Sequence, residues 1–176
     1  MKYLEKIDLS LCENLRQWNE VAKKNQEPPI DIYGVIYMMS DLEMAVFYSE
    51  LFFPELIVHD GGVFIKAAID LEGENSLYNH MKRQPDLYSR SAIEAKINYT
   101  RVWDLFSKQH NNDELYIILA KRLAFIWDAY LKKLYPDRQF EVVYDENPEE
   151  YELGPAVTFF QPDPESSLKS DQNQIS

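Results

Sequence analysis

The chain has 176 residues and a formal net charge of −12, and 45% of its side chains are apolar and 14% aromatic. This composition is typical of one globular domain with a core of its own. The negative net charge opposes binding to nucleic acid or to an anionic membrane, because both are polyanions. Cys12 is the single cysteine, which excludes an intrachain disulfide and a multi-cysteine zinc site.

No targeting or membrane segment is recognisable in the sequence. The N-terminal residues lack the long apolar stretch of a secretory signal. The longest apolar runs fall far short of the roughly 20 residues that a membrane span needs. With a single cysteine, these features predict a cytoplasmic protein that binds neither membrane nor nucleic acid.

The first predicted element is a helix from about Ser10 to Lys24. Ser10 and Glu13 have the spacing of a capping box, in which each side chain satisfies a backbone N–H at the start of a helix. Apolar residues then recur at three- and four-residue steps, and the prolines at positions 28 and 29 end the pattern.

A second helix is predicted over Asp41–Phe53. Ser40 and Glu43 repeat the capping-box spacing, and Pro54 follows the last apolar residue. The apolar residues surround the helix axis, which predicts a buried helix. Residues 32–38, directly before it, are also compatible with a strand, because they are apolar almost throughout.

A β-hairpin is predicted from about Leu56 to Ala68. Two runs rich in β-branched and aromatic residues flank an Asp-Gly-Gly sequence at positions 60–62, and glycine accepts the positive φ angles of a tight turn. A short helix is predicted near Ser76–Arg83, before the proline at position 85.

Two longer helices are predicted next, over Arg90–Lys108 and Glu114–Leu134. In both, apolar residues recur at helical spacing. Residues 110–113 between them are polar residues of the kind that end one helix and cap the N-terminus of the next. Lys132 and Lys133 lie in the last turn of the second helix, where the helix dipole favours cations. Because the connection is short, the two helices are expected to form an antiparallel pair.

After Pro136 the apolar period changes to two, which predicts strands at residues 139–144 and 156–160. The predicted fold class is α+β, with about four or five helices including the antiparallel helical pair, and a small, mainly antiparallel sheet from two hairpins. Residues 1–161 are expected to form a single domain, and residues 162–176 a disordered acidic and polar tail. The pattern leaves open whether the two hairpins share one sheet.

Motifs of known catalytic chemistry are nearly absent. The sequence has no phosphate-binding glycine loop, nucleophile elbow, zinc-protease helix or paired-cysteine motif, so no cofactor or metal is expected. His59 with Asp60 is a candidate general base, although Asp60 is also the natural first residue of the turn. His80 beside Lys82 fits either an anion site or a solvated basic patch, and Cys12 fits either an activated thiol or a small buried residue.

Residues 144–155 hold five carboxylates and two tyrosines without a cationic side chain. The pattern does not fit a calcium-binding EF-hand loop, because its glycine comes too late for the required turn. It fits a solvated hairpin loop with turn chemistry at residues 147 and 148, and it also fits a recognition surface for a cationic partner. On the latter interpretation, the partner-binding residues are Tyr144, Asp145, Glu146, Glu149, Glu150, Tyr151 and Glu152.

The sequence therefore favours a non-enzymatic acidic binding protein of the immunity or inhibitor type, which neutralises a basic protein partner such as a toxin nuclease. One alternative is a small enzyme that uses His59 or His80 with nearby carboxylates. Another is a structural or accessory subunit, in which the apolar residues 30–53 pack against another chain. The oligomeric state is left open.

Overall fold

A computed structural model describes residues 11–39, 41–106, 113–145 and 154–163. Within these ranges the chain forms six α-helices and five strands, which confirms the predicted α+β fold class. The helices are α1 (Glu13–Lys24), α2 (Ile32–Met39), α3 (Leu42–Phe52), α4 (Leu77–Lys82), α5 (Arg90–Ile97) and α6 (Asp113–Leu134). The strands are β1 (Leu56–His59), β2 (Gly62–Ile65), β3 (Thr100–Arg101), β4 (Glu141–Asp145) and β5 (Ala156–Phe160).

The main core forms between α6 and the strands β4 and β5. The buried side chains of α6 recur every three or four residues, as expected for a helix that packs one face on a sheet. Trp127 packs its ring edge-on against Phe159, with 5.8 Å between ring centroids, and its Nε1 donates to the carbonyl of Leu51 at 3.1 Å. This one side chain therefore fills the core and also attaches the end of α3 to α6.

The strands form two antiparallel sheets. β1 and β2 pair with each other, and β5 is the central strand between β3 and β4. The turn between β1 and β2 has positive φ angles at Asp60 (48°) and Gly61 (80°), the geometry of a two-residue type I′ turn, which confirms the predicted hairpin. Within the described residues, the two hairpins thus belong to separate hydrogen-bonded sheets.

The helix that begins at Arg90 ends at Ile97, so its predicted extension to Lys108 was wrong. Asn98 explains the difference, because its side chain is fully buried and bonded to both sheets. Its Oδ1 accepts the N–H of Ile65 at 2.9 Å. Its Nδ2 donates to two carbonyls, those of Val63 at 2.9 Å and Phe159 at 3.2 Å. The next residues form β3, a short strand on β5 that the helical pattern concealed.

Glu94 makes a second connection between the sheets. Its carboxylate is fully buried and accepts the N–H of Val63 at 2.7 Å and that of Gln161 at 3.0 Å. The side-chain amide of Gln161 donates to it as well, at 2.8 Å. The side chains of Glu94 and Asn98 thus form hydrogen bonds with the backbones of β2 and of the end of β5, as a strand between them would do.

The N-terminal helices begin at different residues from those predicted. α1 begins at Glu13, with Cys12 at its N-cap position and no side-chain capping bond, and the predicted start at Ser10 lies outside the described residues. In α3, Asp41 is the N-cap residue and accepts the N–H groups of Glu43 and Met44. Ser40, predicted for this role, also lies outside the described residues.

For residues 32–53, one open alternative is decided and one prediction was wrong. Residues 32–38 belong to α2 and not to a strand, and the carboxylate of Asp31 accepts the N–H of Gly34 as a helix-capping side chain does. None of the side chains of α2 or α3 is buried, although the apolar pattern of α3 predicted burial. The apolar period of α3 is helical as predicted, but no other element of the described chain covers most of the apolar surface of this helix.

Candidate functional site

A pocket lies at the turn between β1 and β2, with a volume of about 170 Å³. We call it the turn pocket. Residues from the hairpin, from α4 and from the first residues of α5 line it, so it exists only in the folded chain. The polar and aromatic side chains that line it are His59, Asp60, Phe64, Tyr78, Lys82, Tyr88 and Arg90.

Asp60 is the centre of the hydrogen bonds in the turn pocket. Its Oδ2 accepts a hydrogen bond from the Tyr78 hydroxyl at 2.9 Å and another from the Lys82 ammonium group. The bond from Lys82 lowers the pKa of Asp60, and the bond from Tyr78 lowers it further. Burial raises the pKa of Tyr78, and the hydrogen bond to Asp60 raises it further. At neutral pH, Asp60 is therefore an ionised carboxylate that accepts a hydrogen bond from the protonated Tyr78 hydroxyl.

Aromatic rings form one wall of the turn pocket. Tyr78 is buried, and its ring packs edge-on against His59 at 5.3 Å and against Phe64 at 5.6 Å between centroids. The Lys82 Nζ lies 5.7 Å from the centroid of the Tyr78 ring. The packing fixes the ring positions, so the wall is formed before any ligand arrives.

Arg90 lies on the opposite side, at the first residue of α5. Its Nε is 3.8 Å from Oε2 of Glu94, beyond hydrogen-bond distance, and its side chain is 41% exposed. Glu94 already accepts three hydrogen bonds from the backbone N–H of Val63 and from the backbone and side chain of Gln161. Among the described residues, the Arg90 guanidinium forms an ion pair with Glu94 but donates no hydrogen bond, and it lines the pocket.

A second surface feature is the exposed side of α2 and α3, which we call the apolar face. It carries twelve of the twenty exposed large apolar side chains among the described residues. They are Ile32, Tyr33, Ile36, Tyr37, Met38, Met39, Leu42, Met44, Val46, Phe47, Tyr48 and Phe53. Tyr37 is 88% exposed and Phe47 63%, so most of each residue's surface is in contact with water.

The charged side chains within the segment that forms the apolar face have one sign. Residues 31–53 contain four carboxylates and no lysine, arginine or histidine. All four are exposed. They are Asp31, Asp41, Glu43 and Glu50. In the whole sequence, no lysine or arginine occurs between Lys24 and Lys66.

The predicted partner-binding residues fall partly within the described chain. Tyr144, on β4, is half-buried against the main core, and the Lys121 Nζ lies 5.7 Å from its ring centroid. Asp145 is exposed at the end of β4, opposite Ala156. The other five lie outside the described residues: Glu146, Glu149, Glu150, Tyr151 and Glu152.

The structure places the other candidate residues apart from one another. His59 lines the turn pocket, with its Nε2 3.6 Å from Oδ2 of Asp60. His80 is exposed on α4, where its Nε2 lies 3.0 Å from Nε2 of Gln84. Cys12 is half-exposed at the start of α1.

Metal ligands and membrane helices were also sought in the described chain. Its His, Cys, Asp and Glu side chains form no group of three or more that could hold a metal ion. None of its helices combines the length and apolar character that crossing a membrane requires.

Sequence reasoning missed Tyr78, Tyr88 and Arg90 as site residues. They lie 18 to 30 positions after Asp60, and no local motif connects them with the turn. No family model, curated protein or solved structure matches the chain. The turn pocket and the apolar face are therefore the features from which a function can be inferred.

Proposed function

We propose that the chain is a non-enzymatic binding protein of the immunity or inhibitor type, which neutralises a basic protein partner such as a toxin nuclease. The observation that carries the proposal is the apolar face of α2 and α3, in a segment, residues 31–53, whose charged side chains are all carboxylates. Aromatic and methionine side chains supply the anchors of protein interfaces. Carboxylates around them attract a partner of opposite charge and speed its association.

The number of exposed apolar side chains on α2 and α3 supports a protein-binding role. Monomeric proteins rarely expose contiguous apolar patches larger than a few hundred Å², and larger patches mark sites of protein or membrane interaction. The face includes three methionines, Met38, Met39 and Met44, whose flexible side chains adapt to a partner surface. A role as an accessory subunit that docks through residues 30–53 is consistent with the same observation.

The charge around the apolar face supports a basic protein as the partner. An anionic membrane surface would repel the four carboxylates, and residues 31–53 hold no basic side chain to offset them. Two copies of the chain would repel each other for the same reason, each with a net charge of −12. A partner with lysine or arginine around an apolar patch would complement both features.

We propose that the acidic segment around residues 144–152 assists the encounter. It contributes the carboxylates Asp145, Glu146, Glu149, Glu150 and Glu152. Charges of this kind raise the association rate even where they form no close contact in the complex. Tyr144 contributes less to such a surface, because it is half-buried against the core.

The alternative of a small enzyme has weaker support. His59 lines a pocket, but its Nε2 is 3.6 Å from the nearest Asp60 oxygen, and that oxygen already accepts from Tyr78 and Lys82. Within the described residues, neither His59 nor His80 is hydrogen-bonded to a carboxylate that would orient it as a general base.

The test measures association with basic proteins encoded next to this chain's own gene. Replacement of Glu149, Glu150 and Glu152 by alanine is expected to lower the association rate. The decrease is expected to be smaller at high salt, because salt screens the charges that attract the partner. The paired changes Tyr37→Ser and Phe47→Ser are expected to raise the dissociation rate, because they remove anchor area from the apolar face.

Leu87→Ser is the matched control, since Leu87 is 71% exposed and lies away from α2 and α3. It is expected to leave both rates unchanged. Association that is insensitive to the charge changes at every salt concentration would contradict the steering role. Dissociation that the Tyr37 and Phe47 changes leave unaltered would remove the apolar face from the proposal.

A further inference from the structure

Four side chains that can carry positive charge converge on the turn between β1 and β2. His59 and Lys82 line the turn pocket. The Arg138 Nη1 donates to the carbonyl of Gly61 at 3.0 Å. A Cβ built on Gly61 would lie 4.0 Å from Nη1 of Arg90, so this guanidinium also lies beside the turn. These residues come from four different parts of the fold, namely β1, α4, α5 and the segment after α6.

The balance of charge at the turn is positive. Lys82, Arg90 and Arg138 contribute three positive charges, and the carboxylates Asp60 and Glu94 contribute two negative ones. The sum is +1 with a neutral His59, whereas the whole chain carries −12. Glu94 is fully buried, and protein donors occupy both of its oxygens. Arg90 adds an ion pair at 3.8 Å but no hydrogen bond to Glu94, so Glu94 does not use its N–H donors.

Two cationic groups keep hydrogen-bond donors available to a ligand. The Lys82 ammonium has three N–H donors, and Asp60 holds it in place at the pocket. The Arg90 guanidinium has five donors in a planar fork that matches an oxyanion. Arg90 is also the first residue of α5, so the positive end of that helix dipole lies at the same position.

The volume and the apolar walls of the pocket limit the size of the apolar group that a bound oxyanion can carry. A cavity of about 150 Å³ holds a benzene-sized molecule, and the turn pocket has about 170 Å³. Its apolar lining consists of Phe64, Tyr78, Tyr88 and Ile93. These walls suit one small ring or a short aliphatic body.

From these observations we infer that the turn pocket binds a small oxyanion, a carboxylate or a phosphate monoester, with a compact apolar body. Lys82 and Arg90 hold the oxyanion, and the rings of Tyr78 and Tyr88 contact the body. The site is separate from the protein-binding role, because the pocket and the apolar face have no residue in common. Each proposal can therefore fail without the other.

Nuclear magnetic resonance titration of the full chain with benzoate, acetate and inorganic phosphate tests the inference. Saturable shifts are expected at residues 59–62 and 78–93, with dissociation constants in the range up to about 10 mM. Benzoate is expected to bind more tightly than acetate if the rings contribute. Benzyl alcohol has a similar body without the charge, and it is expected to bind at least tenfold more weakly than benzoate.

Substitutions at the two cationic residues make the test specific. Arg90→Gln and Lys82→Gln are each expected to weaken binding of benzoate about tenfold, the loss of one charge-assisted contact. Arg90→Lys keeps the charge and the ion pair with the buried Glu94, and it is expected to retain more affinity than Arg90→Gln. Urea denaturation of both variants separates lost affinity from lost stability. Lys132→Gln is the matched control, because it also breaks an exposed lysine–carboxylate pair, with Asp128.

Three results would overturn the inference. The first is the absence of saturable shifts for all three anions. The second is equal binding of benzoate and benzyl alcohol. The third is binding that Arg90→Gln and Lys82→Gln weaken no more than Lys132→Gln does.

Discussion

The side chain of Asn98 lies fully buried between the two sheets and uses both ends of its amide. It accepts from the backbone of β2 and donates to the backbones of β2 and β5. A buried backbone group that loses its partner costs about 1–3 kcal/mol, because it was taken out of water without compensation. One residue therefore ends a helix and joins two sheets.

Asn98→Ala is expected to lower the free energy of unfolding by about 3 kcal/mol or more, because it leaves one N–H and two carbonyls unpaired. Urea denaturation measures the change. Asn14→Ala, at an exposed position of α1, is the control and is expected to cost less than about 0.5 kcal/mol. A loss at Asn98 no larger than that at Asn14 would contradict the bridging role.

Asp60 links the turn to α4 through its charge. The hydrogen bonds from Lys82 and then from Tyr78 lower its pKa below the ordinary value of 3.8. A carboxyl group with a lowered native pKa stabilises the fold above its unfolded pKa, and this stabilisation is lost as the pH falls through the native value. The fold should therefore lose this contribution only in acid.

Asp60→Asn tests this pH dependence while it preserves the turn, since Asn-Gly is the preferred pair in a type I′ turn. The wild type is expected to be more stable than the variant above about pH 4, and the difference is expected to disappear as the pH falls well below 3.8. Denaturation at a series of pH values measures it. A difference that stays constant down to the acid limit would exclude the charge as its source.

At the scale of elements, α3 is attached to the rest of the molecule mainly near its C-terminal end. Trp127 of α6 bonds the carbonyl of Leu51, and Phe53 packs edge-on against Tyr130 with 5.5 Å between centroids. No side chain of α3 is buried. Contacts near Leu51 and Phe53, with a ring contact between Tyr48 and Phe106, thus position a helix whose residues are otherwise mostly exposed.

Trp127→Phe is expected to loosen α3 more than the sheets, because it removes the Nε1 bond to Leu51 but keeps an aromatic ring against Phe159. Hydrogen exchange of peptides from residues 42–53 should accelerate more than exchange in β4 and β5. Equal acceleration throughout the chain would indicate that Trp127 stabilises only the common core.

Several elements could be predicted because their causes lie close together in the sequence. The Asp-Gly pair at residues 60 and 61 specifies a type I′ turn whatever surrounds it. The apolar period of α6 and the alternation in β4 follow from the geometry of a helix or strand with one face on a core. The premature end of α5 could not be predicted, because its cause is a contact of Asn98 with a strand 61 positions away.

At the scale of the whole molecule, the chain combines a net charge of −12 with an apolar face that few of its own residues cover. Charge repulsion between copies opposes contact of two such faces at low salt. Salt screens the repulsion but does not weaken the attraction between apolar surfaces. Solubility of the chain on its own therefore depends on its charge.

The chain is expected to be monomeric at low ionic strength and to self-associate as the salt concentration rises to about 1 M, where the screening length falls to about 3 Å. Light scattering after size-exclusion chromatography measures this. The paired changes Tyr37→Ser and Phe47→Ser should suppress the association, and Leu87→Ser should not. Association that rises equally in all variants would place the contact elsewhere.

The sequence by itself determined the fold class, most of the helices and strands, the tight turn and the acidic character, because each depends on neighbouring residues or on composition alone. Tertiary structure decided where α5 ends, that α2 and α3 remain exposed, and that His59, Tyr78, Lys82 and Arg90 meet around one pocket. The physical reason is the same in each case. Burial and side-chain contact depend on which surfaces meet after the chain folds, and periodicity shows that a helix has an apolar side without showing what covers it.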